Sequence, residues 1–150
     1  MSEDLTQLYQ EIILDHHKRP RNYVRLEAPT HQAEGRNPLC GDSIEVFLRV
    51  EDESITEVAF QGQGCAISQA SASILTEAVK GKSVENALTT IGQALELFEA
   101  DGRHPDLDTD GDLAALSGVR KFPARIKCAT LSWRALESAL EGVSSVSTEG

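Results

Sequence analysis

Apolar positions along this chain begin at the helical period and then switch to strict alternation. Over residues 4–17, Leu5, Leu8 and Ile12, with Tyr9 and Ile13, recur at intervals of three and four. That spacing predicts an amphipathic helix, capped by Asp4 and ended by Pro20. Residues 20–37 read as an extended connection with a short strand near 32–36. Ile44, Val46, Leu48 and Val50 then alternate with Glu45, Phe47 and Arg49, giving a strand with one apolar face. Glu51-Asp52-Glu53-Ser54 turns the chain, and residues 55–61 return as an antiparallel partner.

Gly62 and Gly64 lead into Cys65, at the mouth of a helix over 66–80 that buries Ile67, Ala70, Ile74, Leu75, Ala78 and Val79. Its run of alanines and serines, 66 to 73, lets another backbone approach closely. Gly81 is a helix stop and Ser83 a cap for the next helix, where Val84, Leu88, Ile91, Leu95 and Phe98 keep the period. Two helices joined by so short a turn are expected to be antiparallel neighbours. An acidic, turn-rich segment follows over 99–112, then a short helix over 113–117. Pro123 opens the last helix, which turns Leu131, Trp133, Ala135, Leu136, Ala139 and Leu140 to the core. Residues 142–150 are small and polar and are expected to form a flexible tail. Helix, strands, then helices indicate an α+β fold, with residues 1–150 as one domain.

Charge and cysteine usage narrow the function. With 14 basic against 24 acidic residues the net charge is −10, which argues against nucleic acid and anionic membranes as partners. No run is apolar enough to span a bilayer, and Met1-Ser2-Glu3-Asp4 is acidic where a secretory signal is basic. These features point to the cytoplasm. Three cysteines, widely spaced, fit a disulfide framework poorly, so metal binding, thiol chemistry or plain burial are their expected uses.

Cys40 and Asp42 sit two apart in a turn, Cys65 stands at a helix entrance, and Cys128 follows Arg125 and Lys127. Three thiolates and a carboxylate suffice for a tetrahedral zinc site, and thiolates also suit iron–sulfur clusters. The helix entrance and the neighbouring cations each favour thiolate. Spacing alone leaves a metal site and inert buried cysteines on equal terms; the junction positions favour metal. A Cys–His nucleophile with His31 or His104 as base is a weaker reading, since neither lies near a cysteine in sequence. Asp106, Asp108, Asp110 and Asp112 match the start of a calcium-binding loop, but its twelfth position is Ser117 where a bidentate Glu is required. That segment therefore reads as a solvated surface loop. His16 and His17, about 100° apart on a helix, read as solvated residues favouring its C-terminal end.

At these residues the sequence resembles a known family. Leu8 to His17 with Pro20-Arg21-Asn22, Asn37-Pro38-Leu39-Cys40-Gly41-Asp42, Phe60-Gln61-Gly62-Gln63-Gly64-Cys65-Ala66-Ile67-Ser68 and Lys127-Cys128 resemble the U-type iron–sulfur cluster assembly proteins of the IscU/NifU family, in its SufU branch. The resemblance implies a small three-stranded antiparallel sheet packed against helices. It implies metal ligands at Cys40, Asp42, Cys65 and Cys128, with zinc as the cofactor. It also implies a sulfur-transfer role, in which Cys40 accepts persulfide sulfur from a SufS-type cysteine desulfurase, alongside other SUF assembly proteins. The alternative is a scaffold that assembles a 2Fe–2S cluster, with iron or the cluster in place of zinc. In the scaffold branch a histidine directly precedes the third cysteine, whereas here that residue is Lys127.

Overall fold

The structure, a computed structural model, describes residues 3–38, 41–99, 101–142 and 145–147. At its centre are three antiparallel strands, β1 (His31–Asn37), β2 (Asp42–Glu51) and β3 (Ser54–Gln63), hydrogen-bonded in the order β3-β2-β1. Around them lie α1 (Glu3–Lys18), α2 (Ala66–Val79), α3 (Val84–Phe98), a single-turn α4 (Leu107–Asp110), a 3₁₀ helix (Gly111–Lys121) and α5 (Pro123–Leu140). A short β4 (Ser145–Ser147) pairs parallel with β1. Residues 145–147, within the tail expected over 142–150, are thus paired with the sheet; residues 143, 144 and 148–150 lie outside the described residues.

The alternation in β2 translates directly into burial. Ile44, Val46 and Leu48 are fully buried with Ile55 and Phe60 of β3, beneath α5 and α2. Val50 leaves the pattern because the β2–β3 register shifts between Arg49 and Val50. Phe47, on the opposite face by alternation, is also buried, under the Arg25 guanidinium 5.1 Å from its ring. The small residues of α2 do what their size allows. Ser68, Ala70, Ser71, Ala72 and Ser73 are all buried, and α2 packs closely on α1 and α5. Ser71 Oγ donates to the Ala129 carbonyl at 2.6 Å and accepts from Trp133 Nε1 at 3.0 Å, so neither the Ser71 hydroxyl nor the indole is left unpaired.

Two apolar stripes are rotated from expectation. Leu8 is 40% and Leu88 42% exposed, because α1 buries Tyr9 and His16 and α3 buries Ala87, Ile91, Ala94 and Phe98. In α3, small residues at the contact draw the helix onto its alanine side. Ser83 does cap α3, accepting from Asn86 N. The relation between α2 and α3 differs, however: α3 packs mainly on α5 and the 3₁₀ helix. The intervening link adheres to the hairpin instead, with Gly81 N to Ile55 O, Ile55 N to Lys82 O and Val84 N to Glu53 O, each 2.8 Å. Those bonds carry the chain across the sheet end before α3 begins.

Pro20-Arg21-Asn22 fastens α1 to the rest. Arg21 pairs with Asp15 at 2.6 Å, Asn22 Nδ2 donates to Thr76 Oγ1, and Phe60 N donates to Asn22 O. Hydrogen bonds from Arg21 and Arg19 hold the Asp15 carboxyl at about 2.

The acidic segment is more ordered than a solvated loop. Asp110, its side chain 5% exposed, accepts from both Arg103 nitrogens, at 3.1 and 2.8 Å, and from Asp106 N at 2.9 Å. Burial opposes ionisation of Asp110, but Arg103 and the Asp106 amide outweigh it and hold the carboxyl below its ordinary value. Asp112 turns away toward α1, so the acidic side chains do not converge as a calcium shell. Calcium is therefore expected to leave the melting temperature unchanged, and Arg103→Leu to lower stability by about 1–3 kcal/mol. The folded carboxyl is depressed, so its stabilisation is present above about pH 3.9 and is lost as the pH falls. Thermal melts with calcium and across pH check all three points.

Candidate metal centre

Three elements bring donors to one end of the sheet. Asp42 is the first residue of β2, Cys65 is the residue before α2, with extended backbone, and Cys128 lies in the second turn of α5. Their ligand atoms all lie within 4.8 Å of one another, although the residues are separated by 23 and 63 positions. Cys40, the fourth expected ligand, lies outside the described residues.

Asp42 organises the cluster. It is 3% exposed; its Oδ1 accepts from Cys65 N at 3.0 Å, and its Oδ2 stands 4.0 Å from Cys65 Sγ. The connection from β3 to α2 must pass very close to do this, and two glycines permit it. A Cβ on Gly64 would meet Ser68 Oγ at 2.3 Å and Asp42 Oδ1 at 2.6 Å; one on Gly62 would meet Ser43 O at 2.1 Å. Tyr23 Oη and Gln69 Nε2 both donate to Gly62 O, fixing the end of β3 beneath the site. Ser68 Oγ donates to Cys65 O at 3.1 Å.

Cys65 is exposed while Cys128 is 3% exposed, so the cluster opens to solvent on one side and closes on the other. Burial pushes the Cys128 thiol well up, and hydrogen bonding to Asp42 and Cys65 adds to the shift. The expectation that Arg125 and Lys127 favour its thiolate is thereby corrected. Arg125 stacks on Phe122, 4.8 Å from the ring centroid, and neither cation contributes to the shift at Cys128. A bound cation would supply the charge that ionises this thiol, because a metal deprotonates a coordinating cysteine outright.

The donor set fits such a cation. Bond lengths of about 2.3 Å to sulfur and 2.0 Å to oxygen place tetrahedral ligands about 3.5–3.8 Å apart, close to the 4.0 Å between Cys65 and Asp42. Two thiols with one carboxylate suit zinc, and the thiols suit iron–sulfur chemistry. His31 and His104 are not among the clustered donors. His31 begins β1, six residues from Asn37, or about 20 Å along the strand, and so cannot serve a cysteine here.

A second group of donors was not foreseen as a cluster. His16, expected in solvent, is 1% exposed. Its Nδ1 is 2.7 Å from Ser73 Oγ and its Nε2 2.8 Å from Asp112 Oδ2, with Glu77 Oε1 at 3.9 Å. It ties α1 to α2 and to the 3₁₀ helix. The available signal was position: His16 lies seven residues after Tyr9, on the same helical face.

Comparison with known proteins finds relatives over most of the chain. Residues 8–140 match the family described as NifU-like N terminal domain. The chain is 42% identical over 137 residues, 91% of this chain and 92% of the relative, to the zinc-dependent sulfurtransferase SufU of Bacillus subtilis. It is 39% identical over 137 residues, 91% and 85%, to the iron–sulfur cluster assembly scaffold protein IscU of Streptococcus pyogenes. A crystal structure of a putative iron–sulfur cluster assembly scaffold protein for the SUF system, from Fervidobacterium islandicum, superposes with a TM-score of 0.80 at 33% identity, covering 89% of this chain and 97% of that one.

Proposed function

We propose, from the premise that this chain belongs to the NifU-like N-terminal domain family, that it is a zinc-dependent sulfur acceptor in iron–sulfur cluster assembly. Its donor of sulfur is a cysteine desulfurase of the SufS type, with other SUF proteins downstream, in the cytoplasm. The observation that carries the reading is the convergence of Asp42, Cys65 and Cys128 within 4.8 Å. Cys40 is the fourth ligand and the acceptor. It stands two residues before Asp42, so at most about 7 Å of backbone separates their Cα atoms.

The transfer is an exchange of one S–S bond for another. The Cys40 thiolate attacks the terminal sulfur of the desulfurase persulfide, the desulfurase cysteine leaves as a thiolate, and Cys40 becomes the persulfide. No external oxidant or reductant is needed. Bound zinc supplies the positive charge that keeps the thiols ionised. Asp42 is the harder, weaker ligand for a soft centre, and its bond from Cys65 N orients it while Cys40 engages the partner. Cys40 would be held by the metal as a thiolate, the form of cysteine that attacks.

A second reading, a scaffold for a 2Fe–2S cluster on the same four residues, is favoured by the name of the Streptococcus relative. Lys127 in place of a histidine before Cys128 weighs against it. A desulfurase turnover assay separates the two. The zinc-loaded protein is expected to raise turnover, and Cys40→Ser to abolish the rise. Unchanged turnover with the zinc-loaded protein, together with cluster uptake on reconstitution, would favour the scaffold.

A further inference from the structure

Among the described residues, three buried side-chain polar atoms have no hydrogen-bond partner: Asn37 Nδ2, Asn37 Oδ1 and Ser132 Oγ. Buried amides and hydroxyls are almost always paired, so each exception asks for a cause. These exceptions are not scattered. Asn37 closes β1 directly opposite Asp42 in the β1–β2 register, and Ser132 lies one helical turn after Cys128 on α5. Ser132 thus lies on an element that supplies the metal centre, and Asn37 on the strand paired with another.

Asn37 is the more informative. Burial alternates along β1, with Ala33, Gly35 and Asn37 inside, and along the start of β2, with Asp42 and Ile44 inside. Antiparallel partners project to the same face with Cβ atoms about 4.5–5.5 Å apart, so the Asn37 amide and the Asp42 carboxylate share one side of the sheet. Asn37 is 1% exposed, so its amide is shielded from bulk water. Its backbone is fixed, since Gly41 N donates to Asn37 O at 2.9 Å. Asp42 Oδ1 accepts from Cys65 N, and a carboxylate carries about four lone-pair sites over its two oxygens.

Resting on the metal reading above, we propose that Asn37 is a positioning residue of the metal centre, its side-chain amide donating to Asp42 and holding that carboxylate as a ligand. A carboxylate held as a metal ligand keeps acceptor capacity to spare, and an acceptor is what the amide lacks. Ligating carboxylates are commonly oriented in this way by a neighbour that does not touch the metal.

The test uses Asn37→Leu, which keeps the branched outline and heavy-atom count and removes both polar atoms, and Asn37→Ala as a second variant. Zinc affinity is read by chelator competition, and geometry by the visible spectrum of the cobalt-substituted protein. Both variants are expected to bind zinc about 10- to 100-fold more weakly and to shift the cobalt d–d bands. Asn37→Leu combined with Asp42→Ala should bind no more weakly than Asp42→Ala alone. Metal-free Asn37→Leu should melt at or above the metal-free parent, because an unpaired amide has been removed. Parental zinc affinity and an unchanged cobalt spectrum in both variants would overturn the proposal. So would a metal-free Asn37→Leu that melts lower, since that marks a residue serving the fold. If the parent protein itself binds no zinc, the metal reading fails, and that outcome is seen before any variant is made.

Discussion

Replacing Cys128 with serine is expected to cost the protein its tightly bound zinc and to lower its melting temperature by about 8–16 °C. Cys128 is the buried thiol of the cluster, 3% exposed. A serine hydroxyl there cannot ionise and is a poor ligand for a borderline-soft ion. Zinc bound only to the fold stabilises it by about 4 kcal/mol when its free concentration is about a thousand times Kd. In a chain of this size each kcal/mol moves the midpoint by about 2–4 °C. Elemental analysis of protein purified without added metal, paired with thermal melts, checks both effects. Asp42→Ala should be milder and retain zinc in part, because it leaves every thiol in place. Equal loss in the two variants would mean that the carboxylate holds the metal as firmly as sulfur does.

His16→Ala is expected to destabilise the fold by about 3 kcal/mol while leaving the metal content at the parental level. Two hydrogen bonds, to Ser73 and Asp112, contribute about 1 kcal/mol each, and the cavity left by a fully enclosed ring accounts for the rest. The midpoint should fall by about 6–12 °C. His16→Ala with Asp112→Ala should cost less than the sum of the single changes, because the two share a bond. Loss of zinc in His16→Ala at temperatures where it is folded would show that the two clusters are coupled.

The elements that the sequence predicts well are those whose period is unambiguous. β2 alternates strictly over Ile44, Val46 and Leu48, and these residues are the floor of the core. The site was legible as chemistry, since Asp42, Cys65 and Cys128 sit at element ends and do converge. What spacing could not give was the company each residue keeps. His16 is polar by type, so a pattern of apolar positions passes over it, yet its place opposite Ser73 makes it a core residue. The thiol state of Cys128 was read from neighbours in sequence, Arg125 and Lys127, whereas burial decides it. Helical spacing assigns Leu88 to the core face, but α3 turns its alanines inward because they allow closer packing. Asn37 carries no periodic signal at all; only the β1–β2 register sets it across from Asp42.

The most direct measurement of the sulfur-acceptor role is to mix the zinc-loaded protein with a cysteine desulfurase and cysteine. The product is trapped with an alkylating reagent, and the site of the added sulfur is mapped by mass spectrometry. One additional sulfur on Cys40, absent when cysteine is withheld, is the expected result. Label confined to Cys65 or Cys128, or no label on any cysteine while the desulfurase turns over, would contradict it.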